Sequence, residues 1–113
     1  DPIMVAGMVS VVFRISNIQN RASATRKPLA FSTIEGNDIV ITSQLSKEHS
    51  LNDHLVWLWG LLQHERRFLK SLRASGAKLT VHARVSREAT TIEPNGAEML
   101  HLLGAALVLT YPA

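Results

Sequence analysis

Four leucines, spaced by four, three and four residues, constrain the fold of this chain more than any other feature: Leu51, Leu55, Leu58 and Leu62. At 3.6 residues per turn they fall on one side of a helix, which is the pattern of an amphipathic helix packed on a core. Ser50 stands where a helix cap belongs, and Asp53 falls in the first turn. We therefore predict a helix that begins after Ser50.

The apolar pattern changes direction after this stripe. Glu65 and Arg66 occupy the positions where the next core residues should stand, and a second stripe follows at Phe68, Leu69 and Leu72. This rotation predicts a kink, or two abutting helices, with the break at residues 63–66. Gly76 is the stop signal for the second helix.

Alternation of apolar and polar residues predicts the strands. Residues 9–15 and 79–86 alternate with period two, as strands with one buried and one solvated face do. Residues 31–34 and 39–43 flank a Gly-Asn pair, which predicts a hairpin with a four-residue turn at residues 35–38.

The remaining segments complete the order of elements. Residues 16–27 are small, polar and basic, which indicates a surface loop. Asn95 can cap a short helix over residues 96–103, with Met99, Leu102 and Leu103 inward and Gly104 at its end. Residues 105–111 are apolar enough for a buried strand.

This order, β, ββ, α(α), β, α, β, predicts an α+β fold. Helices on one face of a mixed or antiparallel sheet give a two-layer sandwich. The length of 113 residues and the apolar content of 46% fit a single domain over residues 1–113.

Composition excludes several classes of protein. The chain has no cysteine, so disulfides, thiol catalysis and cysteine-bound zinc are excluded. No apolar run approaches the roughly 18 residues of a membrane helix, and no signal-peptide pattern opens the chain. We expect a soluble cytoplasmic protein without a membrane partner, since the lack of cysteine also fits a reducing compartment.

Residues 50–85 and 95–113 resemble a bacterial family of small domains of unknown function, domain-of-unknown-function family 4279. The shared pattern is a leucine-rich helix opening near Asp53-His54, a small-residue turn at Ser75-Gly76, an alternating strand, a short leucine helix and a final strand. The resemblance covers roughly the last two-thirds of the chain. It implies no activity, and the N-terminal third of the chain departs from the family's pattern.

No motif predicts catalysis, a metal or a cofactor. The five histidines, none of which is four residues from another, are His49, His54, His64, His82 and His101. A helical metal site uses that spacing, so we expect surface or capping histidines. The chain has no Gly-x-Ser-x-Gly elbow, no Walker-type loop and no Gly-x-Gly-x-x-Gly run, so we expect no cofactor and favour a protein that is not an enzyme.

Trp57 and Trp59 give the strongest hint of function. They lie about 200° apart on a helical wheel, so they cannot both face the centre of the core. One of them should lie at an edge or on the surface, where an exposed Trp beside Val56 or Leu61 would form an interaction patch. The alternative is a Trp that covers the rim of the sheet.

Two polar surfaces are further candidates. Arg66, Lys70 and Arg73 line one helix face and could bind phosphates, although cations near a helix C-terminus are also stabilised there without a ligand. His82 and Arg84 lie on the polar face of the strand at residues 79–86, which is open to water or to a second subunit.

These features favour a non-catalytic interaction or small-ligand-binding module. The alternative is a weak nucleic-acid-binding protein that uses the basic helix face, and an enzyme of unidentified type ranks third. Nucleic acid is the less favoured partner because aromatic residues for base stacking make up only 5% of the chain. We expect a homodimer through the open sheet face or the Trp edge.

Overall fold

Five strands and three α-helices form the part of the chain that the structure, a computed structural model, describes: residues 8–18, 29–85 and 92–111. The strands are β1 Val9–Ser16, β2 Ser32–Glu35, β3 Asp38–Thr42, β4 Lys78–Val85 and β5 Ala106–Thr110. The helices are α1 Leu51–Leu62, α2 Arg66–Ala74 and α3 Pro94–Leu103, with a 3₁₀ turn Gln63–Glu65 between α1 and α2.

The strands form one mixed sheet in the order β2-β3-β1-β4-β5. β1 lies at the centre and is antiparallel to both β3 and β4, while β4 and β5 are parallel. The chain between β3 and β4 therefore crosses β1 through α1 and α2, and the chain between β4 and β5 passes through α3. The predicted α+β fold with helices packed against the sheet is confirmed.

The core lies between the helices and one face of the sheet. Alternate residues of β1 and β4 are buried on this face, among them Val11, Phe13 and Val81. The four leucines of the α1 stripe are all buried against them, which confirms that prediction. Burying one such side chain stabilises a fold by about 1.5–3 kcal/mol, so the stripe fixes α1 on the sheet.

The helix boundaries also follow from local chemistry. The Ser50 hydroxyl accepts a hydrogen bond from the Asp53 backbone N–H at 3.1 Å, as predicted. The 3₁₀ turn Gln63–Glu65 is the predicted break. At the end of α2 the Gly76 and Ala77 N–H groups donate back to the carbonyls of the last helical turn, a Schellman motif that needs the positive φ of Gly76.

Three predicted details are wrong. The hairpin turn has two residues instead of four, because Glu35 and Asp38 pair and leave Gly36, with φ of 63°, at the position where a tight turn requires glycine. Helix α3 begins at Pro94, before Asn95, and Pro94 has no N–H to satisfy in the first turn; the N-cap residue Glu93 makes no side-chain capping bond, while Asn95 accepts from the Gly96 N–H at 2.9 Å. β5 is not a buried strand, since it lies at the edge of the sheet with exposed and half-buried residues in alternation.

Most of the loop predicted at residues 16–27 lies outside the described residues, and Ser16 itself belongs to β1.

Candidate functional site: a basic groove along α2

A groove separates α2 from the end of α3 and the start of β5. It consists of two adjoining pockets of 680 and 590 Å³ that share Lys70 and Arg73. Phe68, Leu69 and Leu103 contribute to the apolar part of the first pocket. The second pocket extends past Gly104 to the first residues of β4 and β5. The groove therefore combines an apolar floor with a polar wall.

Helical geometry places the predicted cations on this wall. Arg66, Lys70 and Arg73 are spaced at i, i+4 and i+7, so they fall within about 60° of one another around the helix. All three are exposed, and they stand next to the buried Leu69. The structure thus places these three sequence-predicted residues together at the groove.

The groove is strongly positive. Its lining includes one carboxylate, Glu65, and five cations: Arg66, Arg67, Lys70, Arg73 and Lys78. Elsewhere Glu35 and Asp38 both pair with Arg14, at 3.1 and 2.7 Å. Among the described residues no carboxylate forms a salt bridge with Lys70, Arg73 or Lys78. Like charges with low-dielectric walls raise the local concentration of an anion.

Two of the cations also contact the protein. A Cβ at Gly104 would collide with the Arg73 guanidinium, so this side chain lies directly against the C-terminus of α3, where cations are stabilised. The Arg66 guanidinium lies 6.0 Å from the centre of the Trp59 ring, a cation–π contact. Arg67, Lys70 and Lys78 have no such contact within the described part of the chain.

The two tryptophans do not belong to this groove. Both are half-buried and pack against the core, so neither ring is fully enclosed. Trp57 contacts Phe31 with the ring centres 5.7 Å apart, next to Val56, whose exposed fraction is 43%. Trp59 lies on the other side of α1, under Arg66. Both rings cover the rim of the helix layer.

The sheet lies between the helices and the side chains of His82 and Arg84. Both are exposed on the face of the sheet that carries none of the described helices, which we call the open face. His82 pairs with Val12 of β1 and with Val108 of β5. The structure therefore does not bring these residues together with the tryptophans. Ser86, at the end of the predicted polar strand face, lies outside the described residues.

The predicted exposure of His54 is wrong. This residue is only 1% exposed, although we expected a surface or capping histidine. Its Nδ1 lies 2.6 Å from the Ser43 hydroxyl, while its Nε2 is buried without a hydrogen-bond partner in the described part of the chain. Burial lowers the pKa of His54, so the ring is neutral near pH 7. Its position, three residues after Leu51 and four before Leu58, put it on the apolar stripe and could have revealed this.

A second buried polar residue joins two helices. The Asn52 side chain donates to Glu93 and to Asn95, at 3.0 and 2.9 Å, and accepts from the Glu93 backbone N–H at 3.1 Å. A Cβ at Gly96 would collide with the same side chain. These contacts fix the start of α3 against the start of α1. The Asn52 side chain therefore uses its hydrogen-bonding groups within the protein.

Metal ligands do not converge in the described part of the chain, where no group of three or more His, Asp or Glu side chains could hold an ion. Asp53 and His54 are adjacent on α1, but their surroundings differ. His54 is enclosed, and Asp53 is exposed and pairs with His49 at 3.4 Å. These residues therefore do not form a shared site.

Comparison with known proteins adds no further constraint: no protein-family model, no curated protein and no solved structure matches the chain. The resemblance to domain-of-unknown-function family 4279 stays a prediction. Among the described residues no helix has the length and apolar character to cross a membrane.

Proposed function

We propose that this protein is a non-catalytic binding module that takes a small anionic ligand in the groove along α2. The observation that carries the proposal is the lining of the groove, with five cations and one carboxylate. We place this activity in the cytoplasm, because a chain without cysteine fits a reducing compartment.

The chemistry of the groove favours an amphiphilic anion. Arg66 and Arg73 carry guanidinium groups, which match the oxygens of a phosphate or carboxylate with two parallel hydrogen bonds. The apolar floor at Phe68, Leu69 and Leu103 suits a hydrocarbon or ring portion of the ligand. The volume of 680 Å³ lies within the roughly 300–1,000 Å³ of small-molecule sites.

Binding without catalysis is the simpler account of this site. Among the described residues, one serine–histidine hydrogen bond could suggest a nucleophile and its base. It joins Ser43 and His54. It lies away from the groove, and the free nitrogen of His54 is enclosed by protein. An enzyme of unidentified type therefore remains the third candidate, after nucleic-acid binding.

A titration with an alkyl phosphate tests the proposal. Decyl phosphate below its micelle concentration supplies both a phosphate and an apolar chain, and amide chemical shifts report where it binds. We expect saturable shifts concentrated in α2, Gly104 and the first residues of β5. Shifts spread over the surface, or the same response to uncharged decanol, would contradict an anion site at this groove.

Nucleic-acid binding is the second candidate, and the row of cations along α2 favours it. Phe68 is the one aromatic residue that lines the groove within the described chain, and it is half-buried, so base stacking there is limited. Salt dependence separates the two ligands. Contacts to several phosphates lose affinity steeply as salt rises, with a slope that counts them, whereas a single phosphate gives a shallow slope.

The predicted homodimer involves a different surface. Phe31 is 59% exposed and contacts Trp57, and Val56 continues the apolar patch. Burying this patch against a second copy would stabilise a dimer through apolar area, with little dependence on salt. Light scattering at two protein concentrations tests it. We expect a dimer mass that persists at high salt, and a monomer mass at both concentrations would remove the proposal.

A further inference from the structure

Strand β5 forms one edge of the sheet in the described part of the chain. It is the last strand in the sheet order, and within the described chain it pairs only with β4. Its residues Ala106–Thr110 carry no charge, so the strand lacks the lysines and prolines that commonly protect an edge. An unpaired edge of this kind is a template on which an extended segment can add a strand.

The two faces of β5 differ in chemistry. Leu107 and Leu109 are half-buried on the helix side and pack against the core. Ala106, Val108 and Thr110 are exposed on the open face. Side chains alternate between the faces of a strand, so every second residue of an added strand would lie beside Leu107 and Leu109 and would have to be apolar.

The cations of β4 indicate which residues an added strand should carry on the open face. β4 presents Lys78, His82 and Arg84 on the open face next to β5, all of them exposed. Within the described residues no carboxylate forms a salt bridge with Lys78 or Arg84. A sixth strand would lie about 10 Å from β4, within reach of these long side chains. Acidic residues suit that face.

We propose that β5 binds an extended peptide segment of alternating acidic and apolar residues as a sixth strand. This surface shares Lys78 and Ala106 with the second pocket of the groove but does not include Lys70 or Arg73, so variants at Lys70 and Arg84 distinguish the two proposals. A second copy of the chain fits less well. The sixth strand would then be β5 itself, whose residues Ala106–Thr110 carry no carboxylate to meet the cations of β4.

A capped synthetic peptide that alternates glutamate and valine tests the proposal. We expect saturable binding by fluorescence anisotropy and slower amide hydrogen exchange in Ala106–Thr110. Two control peptides define the interaction, one with lysine in place of glutamate and one with methylated backbone nitrogens along one edge. Both should bind more weakly. Equal binding of the methylated peptide, or binding without protection of β5, would overturn strand addition.

Matched variants of the protein separate this surface from the groove. Arg84→Glu should weaken the acidic peptide by about fivefold, the upper range for one exposed charge pair, and should strengthen the lysine peptide. Lys70→Glu makes the same change of charge at the groove and should leave peptide binding unchanged. An unchanged affinity in Arg84→Glu would overturn the proposal. Protection of β5 that rises with protein concentration alone would instead identify a second copy as the occupant.

Discussion

Polar side chains serve opposite purposes at the start of α1 and along α2. At the start of α1, Asn52 and His54 are buried, and Asn52 uses its hydrogen-bonding capacity on Glu93 and Asn95. Along α2, Lys70 is exposed and forms no salt bridge with a described carboxylate. A buried polar group whose hydrogen bonds are made within the protein stabilises the structure. A polar group that is exposed to water is available to a ligand. Stability should therefore depend on the first region and anion affinity on the second.

The largest expected effect is at Asn52. Asn52→Ala removes its hydrogen bonds and leaves the Glu93 backbone N–H without its partner, so we expect the free energy of unfolding to fall by about 2–3 kcal/mol. Urea denaturation followed by circular dichroism measures it. Gln44→Ala, at an exposed hydrogen bond to the Thr42 carbonyl, is the matched control and should cost less. Equal losses in both variants would contradict a special role for the α1–α3 contact.

Gly96→Ala examines the same contact from the other side. The new methyl group would collide with the Asn52 side chain, which its hydrogen bonds hold in place, and we expect a loss of about 1–2 kcal/mol. The loss should be smaller in an Asn52→Ala background, because the nearest clashing atoms belong to Asn52 and only the contact with Leu55 remains. Additive losses in the double variant would show that Asn52 is not the obstacle.

His54 makes stability depend on pH. Burial lowers its pKa in the folded protein, so the unfolded chain binds the proton more readily. Stability is then complete above the ordinary histidine value of 6.5 and falls as the pH drops through the lowered pKa of the folded state, by about 1.4 kcal/mol per pH unit at most.

Denaturation curves between neutral and acidic pH measure this dependence. His54→Gln should flatten it, while His101→Gln, at an exposed position on α3, should not. If the two variants respond to pH alike, the buried ring does not control it.

The smallest expected effect on stability is at the groove. Lys70→Ala removes an exposed side chain with no described ion pair, so the free energy of unfolding should change by less than about 0.5 kcal/mol. Arg73→Ala should cost more, because its guanidinium lies against Gly104 at the end of α3. A large loss in Lys70→Ala, measured by the same denaturation, would mean that this cation supports the fold.

Local pattern made some of these features predictable. The leucine stripe, the Ser50 cap and the common face of Arg66, Lys70 and Arg73 all follow from helical spacing. The contact of Asn52 with Glu93 does not, because these residues are 41 positions apart. The edge position of β5 depends on strand order, which no single segment encodes. The second wall of the groove likewise required the packing of α3 against α2.

The central claim is that the cations of α2 bind an anionic ligand, and isothermal titration with decyl phosphate tests it most directly. The wild-type protein, Lys70→Glu and Arg84→Glu should be compared at one ionic strength. The account predicts that Lys70→Glu weakens binding by about tenfold, the loss of one charge-assisted contact, while Arg84→Glu binds like the wild type. Equal weakening in both variants would mean that only net charge matters, and would contradict a defined site in the groove.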